Sequence, residues 1–151
     1  MRLQDAMKAM SNESTVLDVI TNCQGYFDKV EEIGGLFANG VVDTPIECRK
    51  VLADATAIYL ALNPILSLAE TEKANREVIF FSKLKMDTEN AGGKFVATNG
   101  DREASVHVAN YRKVRNILEG YVESVKVIIS TCQSSLKSMG DENRILNATT
   151  S

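Results

Sequence analysis

The chain has 151 residues, of which 44% are hydrophobic, 25% charged and 6% aromatic, with no tryptophan and two prolines. That suffices for one folded domain and is too apolar for a disordered chain, while a β-sandwich or barrel needs more aromatic residues and more turn punctuation. The formal net charge of −3 hides an asymmetry: residues 1–72 carry 5 Lys/Arg and 11 Asp/Glu, residues 73–151 carry 12 and 9, and within 73–115 the balance is 9 to 5. A basic cluster on a chain of opposite overall sign points to a polyanion site, or to a solvated helix face.

In chain order, residues 2–10 read as a short amphipathic helix with Leu3, Ala6, Met7 and Met10 on one side. Ser11-Asn12-Glu13-Ser14 interrupts it and can cap the next helix. Val16, Ile20, Cys23, Phe27, Val30, Gly34 and Phe37 then step by four and three, which predicts a heptad seam weakened at Gly34. Gly34-Gly35 and Asn39-Gly40 loosen and stop that helix.

Thr44-Pro45-Ile46-Glu47 is the clearest start signal. It places a hydroxyl at the N-cap, a proline where a donor would go unused, and a carboxylate three residues after the cap. The seam that follows is Val51/Leu52, Ala55, Ile58/Tyr59, Leu62, Ile65/Leu66 and Ala69, and its phase continues through Val78, Phe80/Phe81 and Leu84. Asn63-Pro64 falls inside it and predicts a kink rather than a chain reversal. The apolar run from 51 to 69 is interrupted by Asp54, Asn63 and Pro64 and reads as short of a membrane span.

Residues 87–100, DTENAGGKFVATNG, read as a 14-residue non-helical loop with Lys94-Phe95 in its middle. Asp101 is then the expected cap of a last helix with the seam Ala104, Val108, Tyr111, Val114, Leu118, Tyr121, Val125, Ile128, Cys132, Leu136 and Met139. At ~1.5 Å per residue such a helix is a rod of about 58 Å, which must bury its seam against another helix or another chain. Residues 141–151 read as a flexible tail.

The expected fold is therefore all-α. A long antiparallel helical hairpin (44–139, loop 87–100) is joined by one or two N-terminal helices (1–43) in a single domain, 1–140, within an oligomeric helical bundle. Leu118, Tyr121, Val125, Ile128, Cys132 and Leu136 are the expected oligomer interface. Asp5 stands where a signal peptide would be apolar, so a soluble, cytoplasmic protein with no membrane partner is expected.

Enzyme signatures are missing. Ala91-Gly92-Gly93-Lys94 lacks the spacing and the Ser/Thr of a phosphate loop, and no GxSxG or HExxH occurs. Cys23, Cys48 and Cys132 have no short spacing and sit on apolar helical phases, as small core residues do. His107 is the single histidine, which is too few for a Glu-x-x-His dimetal bundle and fits a surface or interface position on a helix. No catalytic residue, metal or cofactor is expected. A hairpin would instead bring Lys83, Lys85, Lys94 and Arg102 to one end, with Phe95 or Phe81 as a stacking face; core packing is the other use of Phe80 and Phe81.

AETEKANREVIFFSKLK, a Gly-rich basic loop ending in DREA, and YRKVRNILEGYVESVKVIISTCQSSLKSM followed by DEN form one pattern over about 65–145. It resembles the UvsY-like recombination mediators of tailed bacteriophages. That resemblance implies a non-enzymatic helical homo-oligomer that binds single-stranded DNA and helps a RecA-like recombinase displace a single-strand-binding protein, in the host cytoplasm if phage-encoded. In better known members a Lys-x-Arg pair before two consecutive aromatics contacts DNA. Here Arg76 precedes Phe80-Phe81, and Lys73 lies three residues upstream of it rather than two. The expected DNA-binding set is Lys73, Arg76, Lys83, Lys85, Lys94, Phe95 and Arg102. The alternative is a helical structural, adaptor or host-inhibitor protein of a phage that uses its seams on a protein partner without DNA.

Overall fold

The computed structural model describes the backbone of residues 1–149 and the side chains of 1–140. The fold is all-α, with five helices among the described residues: α1 (Leu3–Met10), α2 (Asp18–Ala38), α3 (Pro45–Asn90), α4 (Ala97–His107) and α5 (Ala109–Thr149). The chain divides into two compact units. One comprises Met1–Asn22 and Pro64–Glu119, and the other Cys23–Asn63 and Gly120–Ser151.

The helix ends follow local chemistry. At the start of α3 the Glu47 N–H donates to Thr44 Oγ1 at 3.2 Å and the Thr44 N–H donates to Glu47 Oε2 at 3.2 Å, the reciprocal cap that the sequence encodes. The Thr44 hydroxyl also donates to that carboxylate at 2.7 Å, and it holds the Glu47 carboxyl below its usual range. α2 ends at Gly40, whose φ of +64° lets Val41 N–H reach Leu36 O and Gly40 N–H reach Phe37 O. α3 ends the same way: Gly92 has φ +73°, with Gly93 N–H on Thr88 O and Gly92 N–H on Glu89 O.

α3 runs unbroken through Pro64. Proline removes the bond to the residue 60 carbonyl, but Leu60 and Pro64 are both exposed, and the buried row passes Leu62 and Ile65 on the far side. That row is the expected one: Cys48, Val51, Ala55, Ile58, Leu62, Ile65, Leu66 and Ala69. α3 also contains an 18-residue window of mean hydropathy 1.6, so by length and composition alone it could cross a membrane. This corrects the expectation that the run falls short. A buried seam is the feature by which a core helix meets the same count.

The α2 seam is shifted by one residue at two places, with Val19 and Ile33 buried where Ile20 and Gly34 were expected. A glycine at 34 offers nothing to bury, whereas Ile33 does.

The expected 14-residue loop is only 91–96. α3 continues to Asn90, and α4 begins at Ala97, ahead of Asp101. Gly100 is helical and buried, with the Phe95 and Phe81 rings against it; a Cβ there would lie 2.4 Å from Phe95 Cζ. Val108 separates α4 from α5, yet its N–H still donates to Ala104 O and its carbonyl accepts from Arg112 N–H at 2.9 Å. The expected single last helix is thus interrupted at one residue. It remains helical to Thr149, well into the expected tail, whose residues 150–151 lie outside the described residues.

The buried row runs from Val108, just before α5, through Tyr111, Val114, Leu118, Val122, Val125, Ile128 and Cys132, with Val122 buried where Tyr121 was expected. Leu118, Val125 and Cys132 are 0% exposed within the single chain. They therefore offer no surface to a second copy, which corrects their assignment to an oligomer interface; Ile128 is nearly covered, and Tyr121 and Leu136 are half-buried. In the second unit the Cys48 thiol donates to Cys132 O at 3.3 Å. Tyr121 stacks on Phe27 at 4.0 Å and donates its hydroxyl to Glu31 at 2.7 Å.

Candidate nucleic-acid interface

The first unit holds the basic segment. Its contacts pair Glu70 with Arg115 at 3.9 Å, Glu77 with Arg112 at 3.5 Å, Phe80 with His107 and Phe81 with Phe95. Residue numbers rise along α3 as they fall along α4 and α5, so within this unit the chain runs antiparallel to itself. The 91–96 turn then brings Lys94 and Phe95 beside the C-terminal part of α3.

Three of the expected DNA contacts, Arg76, Lys73 and Phe95, are used internally. Arg76 donates from Nη2 to Met10 O at 3.0 Å and Ser11 O at 2.7 Å, pairs with Glu72 at 3.3 Å, and lies 4.5 Å above the Tyr111 ring. It closes the C-terminal end of α1, where free carbonyls and the helix dipole favour a cation. Burial pushes the Tyr111 hydroxyl up from its ordinary value, and the Arg76 charge offsets part of that. Lys73 pairs with Glu77 one turn along α3. Phe95 is half-buried, edge-on to Phe81 at 5.3 Å and pressed on Gly100. It is a packing residue and corrects the expectation of a free stacking face.

The other cations are exposed. Lys83 and Lys85 stand two residues apart, and at ~100° per residue they take nearly opposite sides of α3. Lys85 faces Glu89 at 4.0 Å. Lys83, Lys94 and Arg102 make no ion pair among the described residues. Arg102 lies on α4 and lines neither hollow described next.

The first hollow is a groove of about 630 Å³ along α3, lined by Glu72, Asn75, Arg76, Ile79, Phe80, Lys83, Leu84 and Asp87, with His107 from α4. In it the imidazole of His107 stacks on Phe80, with centroids 4.1 Å apart and planes 17° apart. The second, of about 160 Å³, is lined by Leu84, Thr88, Lys94, Phe95, Val96, Asn99, Gly100 and Glu103. Leu84 borders both, with Lys83 in the first hollow and Lys94 in the second.

His107 was expected only at a surface or interface position on a helix; Asn75, Ile79 and Asp87 are groove residues that the sequence reading did not single out. Their signal was the three-and-four spacing of 75/76, 79/80, 83/84 and 87, which marks one helix face. It had been credited to a buried seam. Large apolar side chains also lie open nearby, with Val78 65%, Ile79 66% and Val106 71% exposed. Among the described residues no three His, Cys, Asp or Glu side chains are grouped so as to hold a metal ion.

The first hollow thus sets one ammonium, Lys83, and the Glu72 and Asp87 carboxylates beside an aromatic pair on a mixed apolar and polar groove. Comparison with protein families, with curated proteins and with solved structures finds no match for this chain.

Proposed function

We propose that this is a non-enzymatic, cytoplasmic protein that binds single-stranded DNA through the Lys83–Lys94 surface and acts as a recombination mediator for a RecA-like recombinase. The observation that carries the reading is the placement of Lys83 and Lys94, which make no ion pair among the described residues, on two hollows that share Leu84, the first of them holding the His107–Phe80 stack. Ammonium groups free of intramolecular carboxylates release counterions when they meet phosphates. The resemblance to UvsY-like mediators supplies the recombinase and the single-strand-binding protein as partners.

One chain neutralises few phosphates, and a homo-oligomer multiplies them. With the α5 seam covered, assembly would draw on other surfaces. The test is fluorescence anisotropy with oligothymidylate across a salt series. Affinity should fall linearly on a log–log plot, and Lys83→Glu with Lys94→Glu should abolish binding at low salt. Failure of the wild-type protein to bind, or equal binding by the double variant, overturns the reading.

A second reading has its own observation. Val78, Ile79 and Val106 are exposed in the same unit as half-buried Phe80 and Phe81, as they would be on a face that docks a protein helix. A helical adaptor that needs no nucleic acid would bind its partner unchanged when Lys83 and Lys94 are reversed.

A further inference from the structure

We infer that the groove along α3 is a nucleobase subsite in which His107 is the stacking platform, an inference that rests on the single-strand reading. Phe80 and His107 form a parallel aromatic pair. Phe80 is half-buried and His107 is exposed, so the imidazole is the solvent-accessible member of the pair. Both rings line the groove together with apolar Ile79 and Leu84. A flat base placed there continues the stack and covers apolar surface that water otherwise wets.

The polar groups around that platform suit a nucleotide rather than a purely apolar ligand. Lys83 lies one turn from Phe80 and makes no ion pair among the described residues, so its ammonium is free for the phosphate next to the stacked base. Asp87 continues the face one further turn along, and Asn75 precedes it by one turn or more. A carboxylate and an amide at the two ends of the groove offer an acceptor and a donor to base edges. Arg76 lines the groove too, but its guanidinium is committed to Met10 O, Ser11 O, Glu72 and the Tyr111 ring, so it bounds the subsite rather than serving it. Phe95 and Phe81, the rings that the sequence suggested for this role, are engaged with each other and with Gly100.

The experiment compares oligothymidylate with an abasic deoxyribose-phosphate strand of the same length, which keeps every phosphate and removes every base. Wild-type protein should bind the base-bearing strand roughly tenfold more tightly, the value expected of one good stack. His107→Ala should erase that gap and leave the abasic affinity unchanged, while His107→Phe should retain it. A strand carrying 2-aminopurine should be quenched by wild-type protein and not by His107→Ala. Equal affinity of wild-type protein for the two strands overturns the base subsite and leaves the phosphate-binding reading standing. Binding to neither strand overturns both.

Discussion

The guanidinium carbon of Arg76 lies 4.5 Å from the centroid of the Tyr111 ring, and the same side chain donates to the last carbonyls at the end of α1. One residue thus ties three segments of the first unit together. Arg76→Ala should destabilise by about 2 kcal/mol, since it removes charge-assisted bonds and a partly screened cation–π contact. Arg76→Lys should recover little, because an ammonium cannot fork to two carbonyls while lying flat on a ring. Thermal unfolding followed by circular dichroism measures both. Under folded conditions Arg76→Ala should bind oligothymidylate as the wild type does.

Tyr111 gives the complementary control. Its hydroxyl is buried and has no hydrogen-bond partner among the described residues. Tyr111→Phe keeps the ring beneath Arg76 and should leave stability equal or higher, while Tyr111→Ala should cost about 3–5 kcal/mol, as other large aromatic truncations do. Urea titration separates the two outcomes.

Gly100→Ala tests the packing of the turn. A methyl group there meets Phe95 Cζ at 2.4 Å, with Phe81 Cε2 and Phe95 Cε2 both at 3.0 Å. Overpacking of ~1–3 kcal/mol should outweigh the helix-propensity gain of about 1 kcal/mol. Adding Phe95→Ala removes the ring that the methyl meets. The double variant should therefore be more stable than the sum of the two single losses predicts.

Two titrations have opposite signs. Glu47 is held below the usual carboxylate range by the Thr44 hydroxyl. Its contribution is present above the unfolded pKa and lost as pH falls through the folded value. Thr44→Ala should move Glu47 up toward the ordinary range in an NMR titration, with the backbone N–H of residue 44 and the Asp43 contacts still holding it down, and weaken the cap by about 1 kcal/mol. Cys132 is pushed up to about 11, chiefly by burial and then by the neighbouring Cys48 thiol. That contribution is present below about 9 and lost as pH rises toward about 11. In the native protein at neutral pH Cys132 should resist iodoacetamide, and it should react once denaturant is added.

The seams of α3 to Ala69 and of α5 were legible because each buries one stripe, and a 3.6-residue period imprints that stripe on the sequence. The Thr44 cap was legible because it is wholly local. The end of α3 was not. Gly92-Gly93 and Asn99-Gly100 both read as breakers, and only the first is one. Gly100 stays helical because its missing side chain makes room for Phe95, a contact that no local window contains. Arg76 was misread for the same reason, since its partners Met10 and Ser11 lie more than sixty positions away. The face at 75–87 was not legible as a groove, because a groove and a core share one spacing.

The part of α3 beyond Ala69 carries no fully buried side chain. Helical segments with so little anchorage open far below the global unfolding free energy, so their amides should exchange with deuterium early, ahead of those at Leu62 or Leu118. Anything that settles in the groove then stiffens loosely held turns as well as touching them. Its association should carry a negative heat-capacity change larger than the contact area alone predicts.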